Sequence, residues 1–501
     1  MTEPATTRHS PEGVVLAMAC IAQFMVILDV SVVNVALPSI GRDLHYSATG
    51  LQWVVNAYVL TFAGFLLLGG RLADLLGRRR VFLFGLLLFS AASLVGGFAT
   101  TSGWLTAARA VQGLGGAVLA PATLTILVTT FSGAKLVKAL GLWSAVGGAG
   151  GAVGVFLGGV LTAYLSWRWV LFINVPIGAV TFLLAYFYLG EARRPVTDRH
   201  LDIAGSVTVT AGLAILVYGI VGTDVHPWTS APTLIALAIG VALLAAFFVI
   251  ELRLARVPLV PFKLFRSRWV SGANVVMFLV GAAFFTMWYF LSLYLQNVLR
   301  FGPLKTGVCF LPMTLFIVIG AQTSARLLGR LGVRTLMFAG TGLVTVAFAW
   351  LSQLDGTSTY LGSVIGPGCI ASFALGLLFT PLASGATTGV DRSEAGLASG
   401  VLNTSRQMGG SIGLAVLATV ATSHTNSLLH AASAGGTTVD DALTAGYARA
   451  FAVAAVLGAV GVIASCIVPA RAPAPGTPAE VDAAALGGRE RPAADAGIEL
   501  A

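Results

Sequence analysis

The sequence predicts an all-α polytopic membrane protein with about fourteen transmembrane helices. Three observations carry this prediction. Of the 501 residues, 57% are apolar and only 10% charged, and the mean hydropathy is +0.89. No soluble domain of this length is so poor in charge. Apolar runs recur along nearly the whole chain, each long enough to cross roughly 30 Å of hydrocarbon. Sixty glycines suit helices that pack backbone to backbone in lipid.

The runs lie at 14–37, 51–70, 81–99, 104–128, 136–163, 169–189 and 203–222, then at 231–251, 269–296, 304–325, 333–352, 360–387, 395–421 and 446–468. The first is too long for a cleavable leader and is followed by many more, so it is read as a span. The least marked breaks are 100–103 and 164–168. Charge placement tests the count. With the N-terminus inside and the spans alternating, 22 of the 29 Lys and Arg fall inside. Arg42, Arg168, Arg300, Lys305 and Arg449 fall outside, and Arg109 and Arg406 lie within spans. A wrong count would scramble that asymmetry. The net charge of +9 therefore reports topology, and nucleic acid drops out as a partner.

The expected organisation follows in order. Residues 1–13 form a cytoplasmic N-terminus, and 14–189 a six-helix half. Residues 190–268 carry two linker helices with cytoplasmic loops, and 269–468 a second six-helix half. The Ala-, Pro- and Gly-rich stretch 469–501 is expected to be a disordered cytoplasmic tail. The longest outside loop is expected at about 423–445, carrying His424, His430, Asp440 and Asp441 but no Lys or Arg. A weak repeat supports two halves. The loop Gly70-Arg71-Leu72-Ala73-Asp74-Leu75-Leu76-Gly77-Arg78-Arg79-Arg80 follows the second span. A similar loop, Ala325 to Arg334, follows the tenth. Two parallel six-helix halves are a transporter architecture.

Six motifs then carry a family resemblance. They are Leu28–Pro38, Gly70–Arg80, Arg109–Gly116, Gly154–Gly159, Trp167–Gly178 and Asn403–Gly410. In this order they resemble the major facilitator superfamily, specifically its fourteen-helix drug:proton antiporters, over about residues 14–470. Val155 stands where the fifth-span motif usually has Pro, so a proline kink is not expected there. The resemblance implies two major-facilitator halves plus two inserted helices. It also implies that the first and fourth spans line a central cavity.

Asp29 is the one carboxylate deep inside an apolar segment, and an intramembrane acid marks a functional pathway by default. Counting along the helix puts it about 12 Å below the outer boundary and Arg109 about 8 Å below the same boundary. A pair is expected, with desolvation disfavouring the charged carboxyl and the guanidinium favouring it. The two are read as the proton-coupling residues; the plain alternative is a static ion pair that fixes helix packing. Gly70, Arg71, Asp74, Gly77 and Arg78 are read as a gate between the halves, or as orienting charge that attracts anionic lipid. Gly154, Gly158 and Gly159 are read as a packing motif that seals the halves, or as ordinary small-residue packing.

Candidate cavity residues are Gln23, Asn34, Asn56, Gln112, Trp288, Tyr289 and Arg406. Trp288 and Tyr289 belong to an aromatic cluster with Phe284, Phe285 and Phe290, which suits a flat amphipathic compound. Most such rings face lipid or other helices instead. Arg406, near mid-depth with no acid at like depth in its half, faces either a cavity or backbone carbonyls, or structures helix packing. No metal site is expected: no histidine lies deep in a span, and Cys20, Cys309, Cys369 and Cys466 lack paired spacing. No cofactor or nucleotide is expected, because no Gly-Lys-Ser/Thr step occurs. An ion gradient must then drive transport.

The function expected is proton-coupled antiport, exporting an amphipathic drug or antibiotic across a bacterial cytoplasmic membrane by alternating access. The substrate is a small molecule, neutral or singly charged, since the second half holds no deep acid. Protons and membrane lipid are the other partners. Export of an endogenous metabolite or amino acid by the same mechanism is the alternative. A membrane enzyme would need a catalytic constellation, and a sensor a folded soluble domain; the sequence offers neither.

Overall fold

The computed structural model describes residues 11–190, 202–224, 226–255, 258–260, 262–390, 394–431 and 438–470. Among them the regular elements are helices, as a chain that must satisfy every backbone polar group within lipid requires. The first group is α1 (Glu12–Asp43), α2 (Trp53–Leu76), α3 (Arg78–Gly97), α4 (Ser102–Thr130), α5 (Gly133–Tyr164), the short α6 (Trp169–Phe172) and α7 (Asn174–Tyr188). Next come α8 (Ile203–Val221) and α9 (Ala231–Val249). The last group is α10 (Arg268–Leu293), α11 (Pro303–Leu351), α12 (Ile365–Thr387), α13 (Ala395–Ala431) and α14 (Val439–Ser465). Of the N-terminal segment and tail expected from the sequence, residues 1–10 and 471–501 lie outside the described residues.

Among the described residues twelve helical stretches are long and apolar enough to cross a membrane. One of them, α11, has 49 residues. That is roughly 74 Å if straight, more than twice a bilayer core. Gly332 breaks it with φ 78° and ψ 167°. The 32-residue α5 is not among the twelve, and contributes a shorter apolar stretch, Ala149–Tyr164.

Three expected loops are corrected. The Gly70–Arg80 stretch is helical up to Leu76 and again from Arg78, so Gly77 alone makes the turn, with φ 93° and ψ 131°. The Ala325–Arg334 stretch is likewise helical around Gly332. Both glycines adopt backbone angles that residues with a side chain avoid, so one residue turns the chain where a loop was expected. The outside loop expected at 423–445 shrinks as well. α13 continues to Ala431, carrying His424 and His430, and α14 begins at Val439. Thr438 and Asp441 form a reciprocal cap that starts α14 early.

Packing follows the repeat. α1 packs on α5 and α4, α2 on α4, and α3 on α4 and α7. In the later part of the chain, α10 packs on α13, α14 and α12, and α11 on α12 and α14. The two groups meet through α5 with α11 and through α2 with α13. α8 lies along α2 and α13, where Leu213 and Val217 join Leu60 and Ala415 in one apolar cluster. α9 covers α8.

Surface ion pairs report on the number of crossings between their partners. Lys135–Glu12 at 2.8 Å and Lys263–Glu394 at 2.5 Å join ends expected inside. Arg168–Asp43 at 2.7 Å and Arg300–Asp440 at 2.8 Å join ends expected outside. A pair in contact must share a side, so the crossings between its two partners are even in number.

Candidate functional site

Asp29 and Arg109 meet directly. The carboxylate Oδ2 accepts from Arg109 Nη1 at 2.6 Å, with side-chain exposures of 0% and 2%. Removing two charges from water is costly unless further hydrogen bonds satisfy them, and both ends here are well supplied. Asp29 Oδ1 accepts from Gln112 Nε2 and from Asn174 Nδ2, each at 2.8 Å. Arg109 Nη1 also donates to Gln112 Oε1 at 2.6 Å, and Nε donates to the Val54 carbonyl at 3.1 Å. Its guanidinium carbon lies 4.4 Å from the centre of the Tyr58 ring, a cation–π contact in a desolvated setting.

Each member is positioned by its helix. Gln112 is one turn from Arg109 on α4, so both reach Asp29 on α1 from one face. Gly113 allows this approach: a Cβ there would fall 2.3 Å from the Tyr58 carbonyl of α2. Asn174 opens α7 just after the break at Ile173, and also donates to Ser93 Oγ of α3 at 3.0 Å. Ser93 in turn donates to the Leu171 carbonyl at 2.8 Å. One carboxylate thus ties α1, α3, α4 and α7 together, and Arg109 adds α2. Two buried polar atoms at its margin, Tyr58 Oη and Asn174 Oδ1, have no partner among the described residues. They leave acceptor and donor capacity for water or a moving proton.

The other expected residues separate. Asn56 on α2 accepts from Ser411 Oγ of α13 at 3.1 Å and donates to Gln52 Oε1 at 3.4 Å, so it bridges the two groups of helices. Asn34 Nδ2 turns back to the Val30 carbonyl of its own helix at 3.0 Å. Gln23 lies against Gly147 of α5, its Oε1 buried and unpartnered. Trp288 packs on Phe310, with ring centres 5.0 Å apart. Tyr289 is buried with its hydroxyl unpartnered. Phe284 and Phe290 pack with Phe348, Tyr447 and Phe451, which is core rather than cavity. Arg406 keeps some accessible surface, and its Nε has no partner among the described residues.

The glycines of α5 divide as well. A Cβ at Gly158 would meet the Val32 carbonyl of α1 at 2.6 Å, and one at Gly154 the Leu28 carbonyl at 2.9 Å. A Cβ at Gly159 would instead meet the Pro303 carbonyl of α11 at 2.7 Å. Nearby, Ser292 Oγ of α10 donates to the Asn34 carbonyl at 2.7 Å, and Gln296 Nε2 to the Val35 carbonyl at 2.9 Å. These contacts join the two groups of helices at the end expected outside. Of the expected gate, Gly70 lies 3.6 Å, measured from a would-be Cβ, from Pro121 of α4. Arg71 and Asp74 fall in the last turns of α2, and Arg78 opens α3. The side chain of Asp74 lies outside the described residues.

Sequence reading missed several groups. Asn174, Ser93 and Tyr58 complete the Asp29–Arg109 network; Asn174 lies within the Trp167–Gly178 motif without having been read as a site residue, and polarity within apolar runs is what could have flagged the other two. A second buried carboxylate, Glu251, accepts from the Leu259 and Val260 amides at 3.3 and 3.2 Å and so fastens the chain after α9. A cleft of about 300 Å³ lies elsewhere, lined by Trp228, Thr419, His424 and Arg449 among others, and no member of the Asp29 network reaches it. Among the described residues no group of three or more His, Cys, Asp or Glu could hold a metal.

Residues 19–414 match the Major Facilitator Superfamily. The chain is 46% identical to the cephamycin export protein CmcT of Amycolatopsis lactamdurans, over 84% of this chain and 87% of that one. It is 40% identical to the puromycin resistance protein pur8 of Streptomyces alboniger, over 89% of each. It is 34% identical to a tetracenomycin C resistance and export protein of Streptomyces glaucescens, over 83% of this chain and 78% of that one. In fold it is similar to a bacterial homologue of the human lysosomal transporter Spinster, in an inward-facing and occupied conformation. There the TM-score is 0.65 at 15% identity, covering 93% of this chain and 97% of that one. A polytopic helical chain with a buried charge network, matched over most of its length by antibiotic export and resistance proteins, belongs to the Major Facilitator Superfamily of membrane transporters.

Proposed function

We propose that this protein exports an amphipathic antibiotic or drug-like compound across the bacterial cytoplasmic membrane in exchange for protons, by alternating access. The observation that carries the reading is the Asp29–Arg109 pair, fully buried in the membrane interior and held by contacts from four helices, with a fifth joined through Asn174. Protonating Asp29 removes the charge on which Arg109, Gln112 and Asn174 converge. The guanidinium then needs a new acceptor, and the helices that met at the carboxylate are free to shift. A network with two discrete arrangements can couple a proton to a rocking of the halves. Substrate and proton compete because both act on this one arrangement. The relatives named for cephamycin, puromycin and tetracenomycin C favour antibiotic export over an endogenous metabolite or amino acid.

Fourteen crossings and cytoplasmic termini belong to the same reading. Arg300 and Asp440 pair across α11, α12 and α13, so an even number of crossings requires α11 to cross twice, with Gly332 at the turn. The two six-helix halves then occupy 14–189 and 269–468, with α8 and α9 inserted. Contacts at Gly159, Asn34 and Val35 close the outer end, and α2 with its turn at Gly77 forms a gate at the inner end. No catalytic chemistry is part of this reading.

Transport into inverted membrane vesicles tests it. A panel of amphipathic antibiotics should accumulate when the lumen is acidified and stop when a protonophore collapses the gradient. Accumulation unaffected by the protonophore would remove proton coupling from the reading.

A further inference from the structure

Among the described residues Arg406 is a deep charge with no counter-charge. It lies on α13, eleven residues from Ala395, about 17 Å along the helix. That depth is beyond easy reach of either membrane surface. The sequence left it a choice between cavity and carbonyls. Among the described residues no side chain or carbonyl accepts a hydrogen bond from its guanidinium, and Nε is buried without a partner. The side chain nevertheless retains accessible surface. A guanidinium nitrogen buried with no acceptor is costly, and natural interiors rarely leave one so.

Both backbone packing and an aromatic ring lie near it on α10, beside a polar pair in which Ser405 Oγ donates to Asn274 Oδ1 at 2.8 Å. Gly281 of α10 brings the two backbones together, since a Cβ there would fall 2.3 Å from the Arg406 carbonyl. One turn along α13, Gly410 rests against the Phe285 ring. The first half offers no compensation. Asp29 is matched by Arg109 and enclosed by Gln112 and Asn174. With that pair neutral, the deep charge left unbalanced among the described residues is the positive one at Arg406.

Resting on the export reading above, we propose that the substrate is a monoanion, an amphipathic carboxylate or sulfonate whose charge pairs with Arg406 and whose rings lie along α10 near Phe285. A planar guanidinium presents parallel donors that match such an oxyanion. Exchange of one proton inward for one monoanion outward moves two charges per cycle, so a cytoplasm-negative potential drives export further.

Matched probes test this: anilinonaphthalene sulfonate, a monoanion, and N-phenylnaphthylamine, which has the same rings without the sulfonate. Their proton-driven uptake into inverted vesicles is measured for the full chain and for R406Q, R406K and D29N. R406Q should lose sulfonate uptake about tenfold or more while uptake of the neutral probe changes less than about twofold. R406K should recover most of the sulfonate uptake, and D29N should lose both probes. The sulfonate should also raise the melting temperature of the purified wild-type protein and not that of R406Q, which separates binding from folding. Equal loss of both probes in R406Q, or proton-driven uptake of the neutral probe alone by the wild type, overturns the anion site and leaves the export reading intact. A wild type that moves neither probe under a proton gradient counts against export itself.

Discussion

In the N-terminal half a fully buried carboxylate is enclosed by three donors from two neighbouring helices; in the C-terminal half a partly buried guanidinium has no acceptor among the described residues. The fold that holds them repeats, down to the single-glycine turns at Gly77 and Gly332. The difference therefore lies in the side chains carried on a common scaffold. A charge satisfied within the protein stabilises one arrangement and responds to a proton. An unsatisfied charge waits for something brought from outside. One half is suited to coupling and the other to recognition, and variants can break that division at four points.

The largest effect is expected at Asp29. Asp29→Asn keeps the size of the side chain and several of its hydrogen bonds but cannot exchange a proton. Proton-driven efflux should fall roughly a hundredfold or more, since among the described residues no other carboxylate lies at that depth. Facilitated exchange of substrate without a gradient should persist. Uphill efflux in D29N vesicles at wild-type rate would move the coupling site elsewhere.

Arg109→Ala should be the most damaging to stability. It leaves Asp29 charged and buried without its cation, at a cost of about 3–5 kcal/mol. The double variant Asp29→Asn with Arg109→Ala removes both charges and should recover part of that loss. Denaturant unfolding of the purified proteins in detergent reads the coupling directly. If the single and double variants unfold alike, the pair contributes packing alone, and the contrast between the halves loses its basis.

Why part of this was legible in the sequence and part was not follows from the kinds of signal involved. Asp29 and Arg109 announce themselves because a charge in an apolar run needs a reason, and counting 1.5 Å per residue matches their depths. Asn174 and Ser93 carry no such signal. Uncharged polar residues are common in membrane helices, and that Asn174 meets Asp29 of α1 and Ser93 of α3 depends on how α7 is placed against them. The alternating loops were legible through the Lys and Arg asymmetry, yet their lengths were not. Helices run to Leu76 and Ala431 because nothing local stops them before Gly77 or the end of α13. The α5 glycines were visible as a motif, but which neighbour each one meets depends on helix rotation, which a list of small residues does not encode.

That last point gives a third test, between adjacent residues. Gly158 faces α1 within its own half, and Gly159 faces Pro303 across the halves. Gly158→Ala should lower the stability of the N-terminal half by roughly 1–3 kcal/mol through overpacking. Gly159→Ala should change stability less, but hold the outer seal ajar and raise substrate-independent proton leak into liposomes. Matching stability and leak in the two variants would show that α5 packs as one unit, with no separate sealing face.

The smallest effect is expected at the repeat's own marker. Gly77 and Gly332 sit at φ 93°, ψ 131° and φ 78°, ψ 167°. Positive φ costs an L-residue roughly 1–2 kcal/mol, so Gly77→Ala and Gly332→Ala should each lower stability by about that amount. Asn often rescues a glycine at positive φ, because it tolerates the left-handed helical region, but that region needs ψ near +47°. Neither site has such a ψ, so Gly77→Asn and Gly332→Asn should be no better than the alanine variants. Unfolding measurements on the four variants settle the point. Similar losses at the two sites are what a structural repeat requires. A loss confined to Gly77 would mean that the turn at Gly332 relaxes freely, and that the halves share a pattern of helices without sharing its constraint.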